Sequence, residues 1–559
     1  MRKLFAAPLP RPDLFLVGIL LLAFALRVWG LGWGLPSATH YFSYHPDESR
    51  VLEASSLTMN VFAGRLLPHF YNYGSLQLYL VCFANTLAAL FGGLEIVPKA
   101  MAAWYPQWAK MYLVGRWLTV GMGVGTVWAV YAIGRRLWGR RAGLLAALML
   151  AIMPLHAQHS HFLTVDVPAT FWAMLSLLWA VRLATGEPKP WKAALWAGVF
   201  AGFAAATKYN LALIVLPLLA ACFLTRQKVG VAVGLAAFVL AFLVACPGAV
   251  LESGTFLRDL RFESVHVQNV DDPTFRGTGS GFVYHITRNL TAGLGLPLLL
   301  LTLVSVGYAL YRRERGDGLL AAFALPYYVL IGLAAIKYAR YDIPLLPILA
   351  LWNGRLLADW MRAPGALWRR LSAQFTAIAV LGLTWVWCVR LVGFMADQDM
   401  RDWAYRWVNS PISATNSSAL PTVGFAAQPW FGSVPLSPYF SMPRPGGWVT
   451  ETAPELRKRI VYDGKDWDTE LLELKKPDIV VLSEFDYMDT LRLKDPAALR
   501  YFAALKRDYK RSSVFVDNNS ALSTQYVLLE GMPTRDWPHD MLYTNPIITF
   551  YQRKPAPTP

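Results

Sequence analysis

The apolar stretch Leu14–Leu35 (LFLVGILLLAFALRVWGLGWGL) is followed closely by YHPDE at residues 44–48. The first segment is long enough to cross a bilayer as a helix, which takes about 20 residues. It therefore places two adjacent carboxylates, Asp47 and Glu48, at a membrane surface. Ionisable groups are costly in that environment and are usually functional. The pattern indicates chemistry on a compound that the membrane holds or delivers.

The composition is that of a membrane protein. The chain has 559 residues, of which 55% are hydrophobic and 14% aromatic, and its mean hydropathy is +0.36. A soluble protein of this length is far less apolar, so we expect an α-helical polytopic membrane protein with room for an additional soluble domain. Arg2 and Lys3 precede the first apolar segment and no small-residue cleavage site follows it. This favours a retained helix over a cleaved signal peptide.

The net charge of +16 does not indicate a nucleic-acid partner, because its distribution has another cause. The basic residues concentrate in short clusters between apolar segments, which is what the positive-inside rule produces. These clusters are Arg135, Arg136, Arg140 and Arg141; Arg226 and Lys228; Arg312, Arg313 and Arg315; and Arg362, Arg369 and Arg370. The charge therefore reports the orientation of the chain in the membrane.

The four cysteines all lie within apolar stretches, and no CxxC pair is present. Neither a disulfide framework nor a thiolate metal site is expected from this pattern.

About eleven segments of roughly bilayer length alternate with the basic clusters. They are 14–35, 111–134, 142–158, 165–183, 193–207, 210–225, 229–250, 290–311, 319–336, 341–360 and 372–395. With a cytoplasmic N-terminus, the basic clusters fall on the cytoplasmic side. Asp47, Asp166, Lys208 and Arg340, together with everything after residue 396, then lie on the outer face.

Two further segments are assigned to the outer face. The apolar segment 76–94 would break the alternation if it crossed the membrane, so we expect a juxtamembrane or re-entrant helix there. Residues 251–288 are polar and contain Asp271-Asp272-Pro273 and several glycines. We expect them to form a long loop that can act as a lid.

The character of the chain changes after Ala396. Short strand-like segments occur at 478–482 and 525–529, and an amphipathic pattern covers 494–508. The sequence therefore predicts two domains, a transmembrane domain at 1–396 and a mixed α/β domain outside the membrane at 397–559.

Asp47 and Glu48 have two readings. Acidic residues favour the first turn of a helix, so the pair can simply be a cap. The preceding His45-Pro46 adds a constraint, since proline fixes its own backbone and holds the residue before it extended. The two carboxylates then start a helix in a defined direction, which favours a functional role.

A second outer-face carboxylate, Asp166, stands in TVDVP at 164–168. A lone aspartate at a helix N-terminus is commonly a cap, but Asp166 shares a face of the membrane with Asp47. His156, His159 and His161 precede it without i, i+4 spacing. Asp166 with His159 or His161 could hold a divalent ion, although interfacial hydrogen bonding by the histidines is the simpler interpretation.

Two cationic clusters, KYN at 208–210 and KYARY at 337–341, lie on the side that the positive-inside rule disfavours. Snorkelling to the headgroups explains either cluster alone. Because carboxylates are expected on the same face, binding of an anionic headgroup explains the two clusters together better than snorkelling does. A phosphate is the natural ligand, with Arg340 as a bidentate partner and Lys208 as a point charge.

These motifs resemble the GT-C superfamily of glycosyltransferases. The resemblance rests on HPDE after the first crossing, DxP at an outer helix end, RYxxPxxP from Arg340 to Pro347, and RLWGRR at 136–141. Within the superfamily the chain is most similar to the protein O-mannosyltransferase family (glycosyltransferase family 39) and to the related lipid A aminoarabinose transferase. The similarity covers roughly residues 10–360.

The chain departs from these families in three respects. The usual Pro-Pro-Leu after the first loop reads Gly74-Ser75-Leu76. The WWDYG motif of oligosaccharyltransferases and the eukaryotic mannosyltransferase insertion are both absent from the sequence. These absences argue against both of those subclasses.

The resemblance implies a multispanning enzyme that takes its sugar from a polyprenyl phosphate. Asp47 would be the catalytic base, with Glu48 and Asp166 orienting it or the acceptor, and direct displacement would invert the anomeric carbon. Lys208, Arg340 and Tyr341 would bind the donor phosphate. His45 and His161 are further candidates for the site.

The expected partners are the lipid-linked donor, membrane lipids and an acceptor that is a glycan, a lipid or a protein. No cofactor is firmly predicted; a divalent metal is left open, and the resemblance favours side-chain cations over an essential metal. A bacterial inner membrane is the expected location, with the 397–559 domain outside the cytoplasm.

Two other function classes are compatible with charges at a membrane face. A transporter or flippase for a lipid-linked sugar would also need a cationic phosphate site, but such sites usually lie near the midplane on broken helices within inverted repeats. No repeat is visible in this sequence. A non-catalytic scaffold whose 397–559 domain binds a partner is the third reading.

Overall fold

A computed structural model describes residues 13–40, 43–95, 104–362, 367–410, 421–427, 429, 431–436, 443–444, 447–448, 460–463, 467–515, 527–529, 531–535 and 537–555. The N-terminal two thirds are α-helical. The helices there are α1 (Leu14–Val28), α2 (Pro46–Leu52), α3 (Leu76–Leu90), α4 (Trp104–Trp138), α5 (Arg140–Ile152), α6 (Pro154–His159), α7 (Asp166–Ala184), α8 (Pro190–Ala205), α9 (Val215–Leu224), α10 (Lys228–Ala245), α11 (Gly248–Leu251), α12 (Ser253–His266), α13 (Gly281–Tyr284), α14 (Thr291–Leu294), α15 (Leu296–Arg312), α16 (Arg315–Leu333), α17 (Leu346–Arg362) and α18 (Leu367–Ala396).

Among the residues that the structure describes, five helices are long and apolar enough to cross a membrane, which confirms a polytopic membrane protein. They lie within Tyr105–Trp138, Asp166–Ala184, Lys228–Ala245, Arg315–Leu333 and Leu367–Val408. Four shorter apolar helical segments accompany them, at Leu14–Val28, Leu76–Leu90, Tyr209–Leu224 and Leu296–Arg312. The total of eleven crossings and the orientation stay predictions. So does the outer-face placement of α3, whose 15 residues rise about 22 Å, less than the thickness of a bilayer core.

Three segments predicted as single crossings are interrupted. The segment at 142–158 breaks at Pro154, where α5 ends and α6 begins, because proline has no N–H to donate and clashes with the preceding turn. The segments at 210–225 and 341–360 each begin with a 3-10 helix, Tyr209–Ile214 and Ala339–Leu345. The first follows directly on Lys208, and the second contains Arg340 as its second residue.

Arg27 compensates for the break at Pro154. Its side chain is fully buried and donates hydrogen bonds to the carbonyls of Leu150 (3.4 Å) and Ala151 (3.1 Å). It also contacts His156 Nδ1 at 2.8 Å. Carbonyls at a helix end lack intrahelical partners, so Arg27 supplies the partners that the broken helix lacks.

The outer segment 251–288 is not the extended loop that the sequence predicts. Its first half is largely the 14-residue α12, which follows directly on α11, and its last part is α13 continued by a π-helix at His285–Leu290. Turns occupy the residues between Val267 and Ser280.

The C-terminal part is a mixed α/β unit, as expected. Its helices are α19 (Met400–Val408), α20 (Thr469–Lys475), α21 (Glu484–Arg492) and α22 (Pro496–Asp508). Its strands are β1 (Val423–Phe425), β2 (Pro443–Arg444), β3 (Gly447–Trp448), β4 (Ile460–Asp463), β5 (Ile479–Ser483), β6 (Tyr509–Phe515), β7 (Val527–Leu529), β8 (Met532–Thr534) and β9 (Ile548–Arg553). The predicted strand at 478–482 and the helix at 494–508 are confirmed as β5 and α22. The predicted strand at 525–529 is confirmed as β7 over residues 527–529, and residues 525–526 lie outside the described part of the chain. The division at 396/397 stays a prediction.

Five strands form one sheet in the order β4-β1-β5-β9-β6. Strand β1 is parallel to both β4 and β5, whereas β9 is antiparallel to β5 and β6. All five residues of β5 are buried. This explains its uninterrupted apolar sequence, because such a strand is covered on both faces.

The segment Trp537–Asn545, which we call the C-terminal arm, reaches from this sheet into the helical part. The Trp537 ring lies 5.3 Å from that of Trp387 on α18. Gln158 Nε2 donates to Met541 O at 3.3 Å and to Thr544 Oγ1 at 3.1 Å. The arm thereby brings residues of the C-terminal part against α6 and the neighbouring loops.

Candidate functional site

Asp47 lies at the start of α2 and faces Arg340. The His45 side chain caps this helix, with Nδ1 accepting the Asp47 N–H at 3.2 Å. Pro46 is the first helical residue, where its missing N–H costs nothing. The Asp47 carboxylate is left free to approach the Arg340 guanidinium, with Oδ2 at 3.4 Å from Nη2. Asp47 is the more exposed of the two, at 22% against 13%.

Asp166 and Lys208 form the second pair of the site. Asp166 begins α7 and its Oδ1 lies 2.5 Å from Lys208 Nζ. Both side chains are largely buried, at 4% and 13% exposure. Lys208 precedes the 3-10 helix that replaces the first turn of the following apolar segment.

Tyr341 connects the two pairs. Lys208 Nζ lies 4.8 Å from the centre of its ring, and the Arg340 guanidinium lies 5.9 Å from the same ring. Arg340 also stacks on Tyr338 at 3.9 Å. Asp47, Arg340, Tyr341, Lys208 and Asp166 therefore form a continuous chain of contacts. Five side chains that the sequence proposed separately lie together in space.

Glu48 points away from this chain of contacts. Its side chain is fully buried and accepts a bidentate pair of hydrogen bonds from Arg116, at 2.8 and 2.7 Å. It also accepts the Leu163 N–H at 2.6 Å and the Ser43 hydroxyl. With its oxygens occupied in this way, Glu48 anchors the start of α2 to α4 and to the loop before α7. These contacts fit a structural role rather than the catalytic one expected beside Asp47.

The histidines also differ from expectation. Both ring nitrogens of His161 face main-chain carbonyls, at 2.9 Å from Ala157 O and 3.0 Å from Trp29 O, so His161 is engaged away from the site. Neither ring nitrogen of His159 has a hydrogen-bond partner among the described residues. Burial lowers the pKa of His159 to about 4 and also lowers the pKa of His45. Both rings are therefore neutral near pH 7.

The part of the chain that the structure describes contains no group of three His, Cys, Asp or Glu side chains arranged to hold a metal ion. Asp166, which could have held a divalent ion together with His159 or His161, is instead bound to Lys208.

Two residues that bind predicted site residues escaped the sequence analysis. Arg116 lies inside the predicted crossing at 111–134, and an ionisable residue within an apolar segment is itself a signal. Asp540 belongs to the C-terminal arm, and its carboxylate lies 3.6 Å from Arg340 Nη1. No sequence signal distinguishes Asp540 from the other carboxylates after residue 396, because its partner is 200 positions away.

The comparisons with known proteins agree with the motif resemblance. Residues 109–250 match the profile of the dolichyl-phosphate-mannose-protein mannosyltransferase family. The chain is 27% identical over 351 residues to undecaprenyl phosphate-alpha-4-amino-4-deoxy-L-arabinose arabinosyl transferase 1 of Pseudomonas fluorescens (strain Pf0-1), covering 56% of this chain. The match spans 58% of the length of that relative. The resemblance to these two groups is thus found independently of the short motifs.

Two solved structures are similar to this chain over most of its length. The apo oligosaccharyltransferase of Archaeoglobus fulgidus has a TM-score of 0.49 at 12% identity, covering 95% of this chain and 77% of its own. Apo ArnT of Cupriavidus metallidurans has a TM-score of 0.47 at 15% identity, with coverages of 96% and 97%.

Proposed function

We propose that the protein is a membrane glycosyltransferase that moves a sugar from a polyprenyl-phosphate donor to an acceptor on the outer face of the membrane. The observation that carries this proposal is the contact chain Asp47–Arg340–Tyr341–Lys208–Asp166. It supplies a base, two cations and an aromatic surface in one place. The matched relative is named for an undecaprenyl-phosphate sugar, which supports this class of donor.

The two cations bind the donor phosphate. Each is paired with a carboxylate in this structure, Arg340 with Asp47 and Lys208 with Asp166. The Nη1 atom of Arg340 is buried and has no hydrogen-bond partner among the described residues. A phosphate oxygen would satisfy it with a charge-assisted bond. As the phosphate takes over Arg340, the Asp47 carboxylate becomes free to accept a proton.

The chemistry is then a single displacement. An acceptor O–H or N–H group loses its proton to the Asp47 carboxylate while its heteroatom attacks the anomeric carbon. The bond from that carbon to the phosphate oxygen breaks, and its electron pair stays on the polyprenyl phosphate. Arg340 and Lys208 stabilise the charge that develops there. Because the leaving group is already a good one, no general acid is needed, and the anomeric configuration inverts.

Three other candidate residues hold the reacting groups and the substrate in position. Asp166 orients Lys208, His45 caps the helix that carries Asp47, and Tyr341 provides a face on which the cations and the sugar ring can pack. We also propose that the protein lies in a bacterial inner membrane. The acceptor is then a glycan, a lipid or a protein of the cell envelope.

The test is binding and turnover of radiolabelled polyprenyl-phosphate sugars by the purified full-length protein. Asp47→Asn should keep donor binding and lose transfer by about a thousandfold or more, because it removes the base without changing the shape of the side chain. Asp13→Asn is the matched control, since Asp13 pairs with Arg140 outside the site. Donor binding without transfer by any variant, wild type included, would instead favour a transporter or a scaffold. A product with retained configuration would overturn the single displacement.

A further inference from the structure

We propose that Asp540, in the C-terminal arm, is a positioning residue that sets Arg340 for the donor phosphate. This inference rests on the proposed function, because it takes Arg340 as the phosphate ligand. It assigns the C-terminal part of the chain a direct share in the site, beyond any role in recognising the acceptor.

The first support is an unusual helix cap. The 3-10 helix Ala339–Leu345 starts after Tyr338, whose side chain makes no capping hydrogen bond. Asp540 supplies the cap instead, with Oδ1 accepting the Ala339 N–H at 3.0 Å and Oδ2 accepting the Arg340 N–H at 2.9 Å. A carboxylate at this position satisfies the free amides of the first turn and complements the helix dipole.

The second support is the position of the Arg340 side chain between two carboxylates. Nη2 lies 3.4 Å from Asp47 Oδ2, and Nη1 lies 3.6 Å from Asp540 Oδ2. Asp47 is 22% exposed, whereas Asp540 is fully buried. A ligand that arrives from outside can therefore displace Asp47 from the guanidinium but cannot displace Asp540. One carboxylate is exchangeable and the other is fixed.

The third support is that this 3-10 helix is held at two points, from two different parts of the chain. Inside the helical part, Asp342 accepts from Asn289 Nδ2 at 3.0 Å and lies 2.8 Å from His285 Nδ1. On the other side, the arm that carries Asp540 is held by Gln158 and Trp387. The membrane part thus fixes the middle of the helix, and the arm fixes its start. Arg340 is the second residue of this helix, so the arm holds the turn that carries it.

The experiment measures the affinity of the full-length protein in detergent for undecaprenyl phosphate. The variants are Asp540→Ala, Asp540→Asn, Arg340→Ala and the double variant of Arg340→Ala with Asp540→Ala. Asp495→Ala is the matched control, because Asp495 caps α22 by accepting the N–H groups of Ala497 and Ala498, away from Arg340. This variant measures how the loss of an equivalent helix cap elsewhere in the same domain affects the affinity for undecaprenyl phosphate.

We expect Asp540→Ala to weaken binding about tenfold, the factor that corresponds to the loss of a helix cap. Asp540→Asn keeps one oxygen acceptor and should weaken it about threefold, and Asp495→Ala should bind like wild type. Adding Asp540→Ala to Arg340→Ala should cost nothing further, because a residue that acts through Arg340 has no effect once Arg340 is gone.

Three results would overturn the inference. If Asp540→Ala binds undecaprenyl phosphate like wild type while Arg340→Ala binds it more weakly, Asp540 has no positioning role, and the proposed function is unaffected. Fully additive effects in the double variant would show that Asp540 does not act through Arg340. Wild-type affinity of Arg340→Ala would remove the phosphate assignment and this inference together. If Asp540→Ala does not fold, the same cycle with Asp540→Asn decides.

Discussion

Fully buried arginines hold the segments that lead to the site. Arg27 satisfies the carbonyls at the break before α6. Arg116 binds Glu48 and also donates to the carbonyls of Leu31 and Trp33 at 2.7 Å each. In the C-terminal part, Arg401 pairs with Asp399 at 2.6 Å. A planar guanidinium with five donors can connect several main-chain carbonyls at once, which a lysine cannot. Buried charge at these positions therefore fixes loops that would otherwise leave polar groups unpaired.

The Glu48–Arg116 pair is a test of this view. Arg116→Met should lower the free energy of unfolding by about 3–5 kcal/mol, because it leaves the Glu48 carboxylate buried without its partner. Thermal unfolding of the purified protein measures the loss. Arg50→Met is the control, since Arg50 forms an exposed pair with Glu53 worth at most about 1 kcal/mol. Equal effects of the two substitutions would contradict the structural role of Glu48.

His159 makes the stability depend on pH. Burial holds the pKa of its folded-state ring at about 4, below the ordinary value of 6.5, so the unfolded chain binds the proton more tightly. The contribution of neutral His159 is fully present above pH 6.5 and is lost as the pH falls to about 4. Replacing it by methionine should remove about 3 kcal/mol of this acid sensitivity. Unfolding curves of wild type and His159→Met that stay parallel from pH 7 to pH 4 would contradict it.

The site was predictable where local sequence rules expose it. Asp47 and Asp166 follow apolar segments and have a proline one or two positions away. In the predicted topology, Lys208 and Arg340 lie on the side that the positive-inside rule disfavours. Each of these signals lies within a few residues of the side chain concerned. Asp540 has no such signal, since the amides it caps are about 200 positions away. The pairing of Glu48 with Arg116 has no such signal either, because Arg116 lies on another helix.

At the scale of elements, interruptions of helices place the functional groups. Lys208 directly precedes a 3-10 helix and Arg340 is the second residue of another. Asp166 follows the short α6 beyond the break at Pro154. Hydropathy predicted the apolar segments but made them continuous, because it averages over the few residues at which a helix changes its hydrogen bonding. Helix α12 was missed because many of its residues are polar.

Gly74 shows how closely two such elements approach. A Cβ at this position would lie 2.0 Å from the carbonyl oxygen of Ala206, and Leu76 N donates to the same oxygen at 3.0 Å. The glycine that replaces the proline of the related families is therefore required by the contact with the segment that carries Lys208. Gly74→Ala should shift this segment and weaken undecaprenyl phosphate binding about tenfold or more. Gly64→Ala, where a Cβ meets open space, is a partial control for the extra methyl group, since Gly64 has a positive φ.

At the scale of the whole molecule, the sequence could not predict the contacts between the helical part and the α/β part. Composition separates the two parts, and periodicity predicts α22 and β5 correctly. The contacts between them are single side chains without any repeating pattern, such as Asp540 on the 3-10 helix and Arg492 on the turns after α12. Such contacts depend on how folded units fit together, which no local property of the chain encodes.

The contacts of Arg492 allow the interaction between the two parts to be tested. From α21 it donates to the carbonyls of Arg276 and Pro273, both at 2.6 Å, and of Thr274 at 3.2 Å. Lys337 holds the same turns from the membrane part, with Nζ donating to Thr278 Oγ1 at 2.9 Å. Hydrogen bonds from a charged donor contribute about 1.5–3 kcal/mol each. Arg492→Ala should therefore raise the opening of these turns at least tenfold, which limited proteolysis by trypsin at the exposed Arg276 would measure.

The control for this experiment is Arg507→Ala, because the acidic partners of Arg507, Glu473 and Asp508, both lie within the α/β part. Cleavage at Arg276 should stay at the wild-type rate in that variant. If both variants are cleaved equally fast, the turns respond to the general stability of the α/β part. If only Arg492→Ala is cleaved faster, the α/β part holds these outer turns in place by direct contact, as it holds Arg340 through Asp540. The two parts then form one functional unit at the outer face.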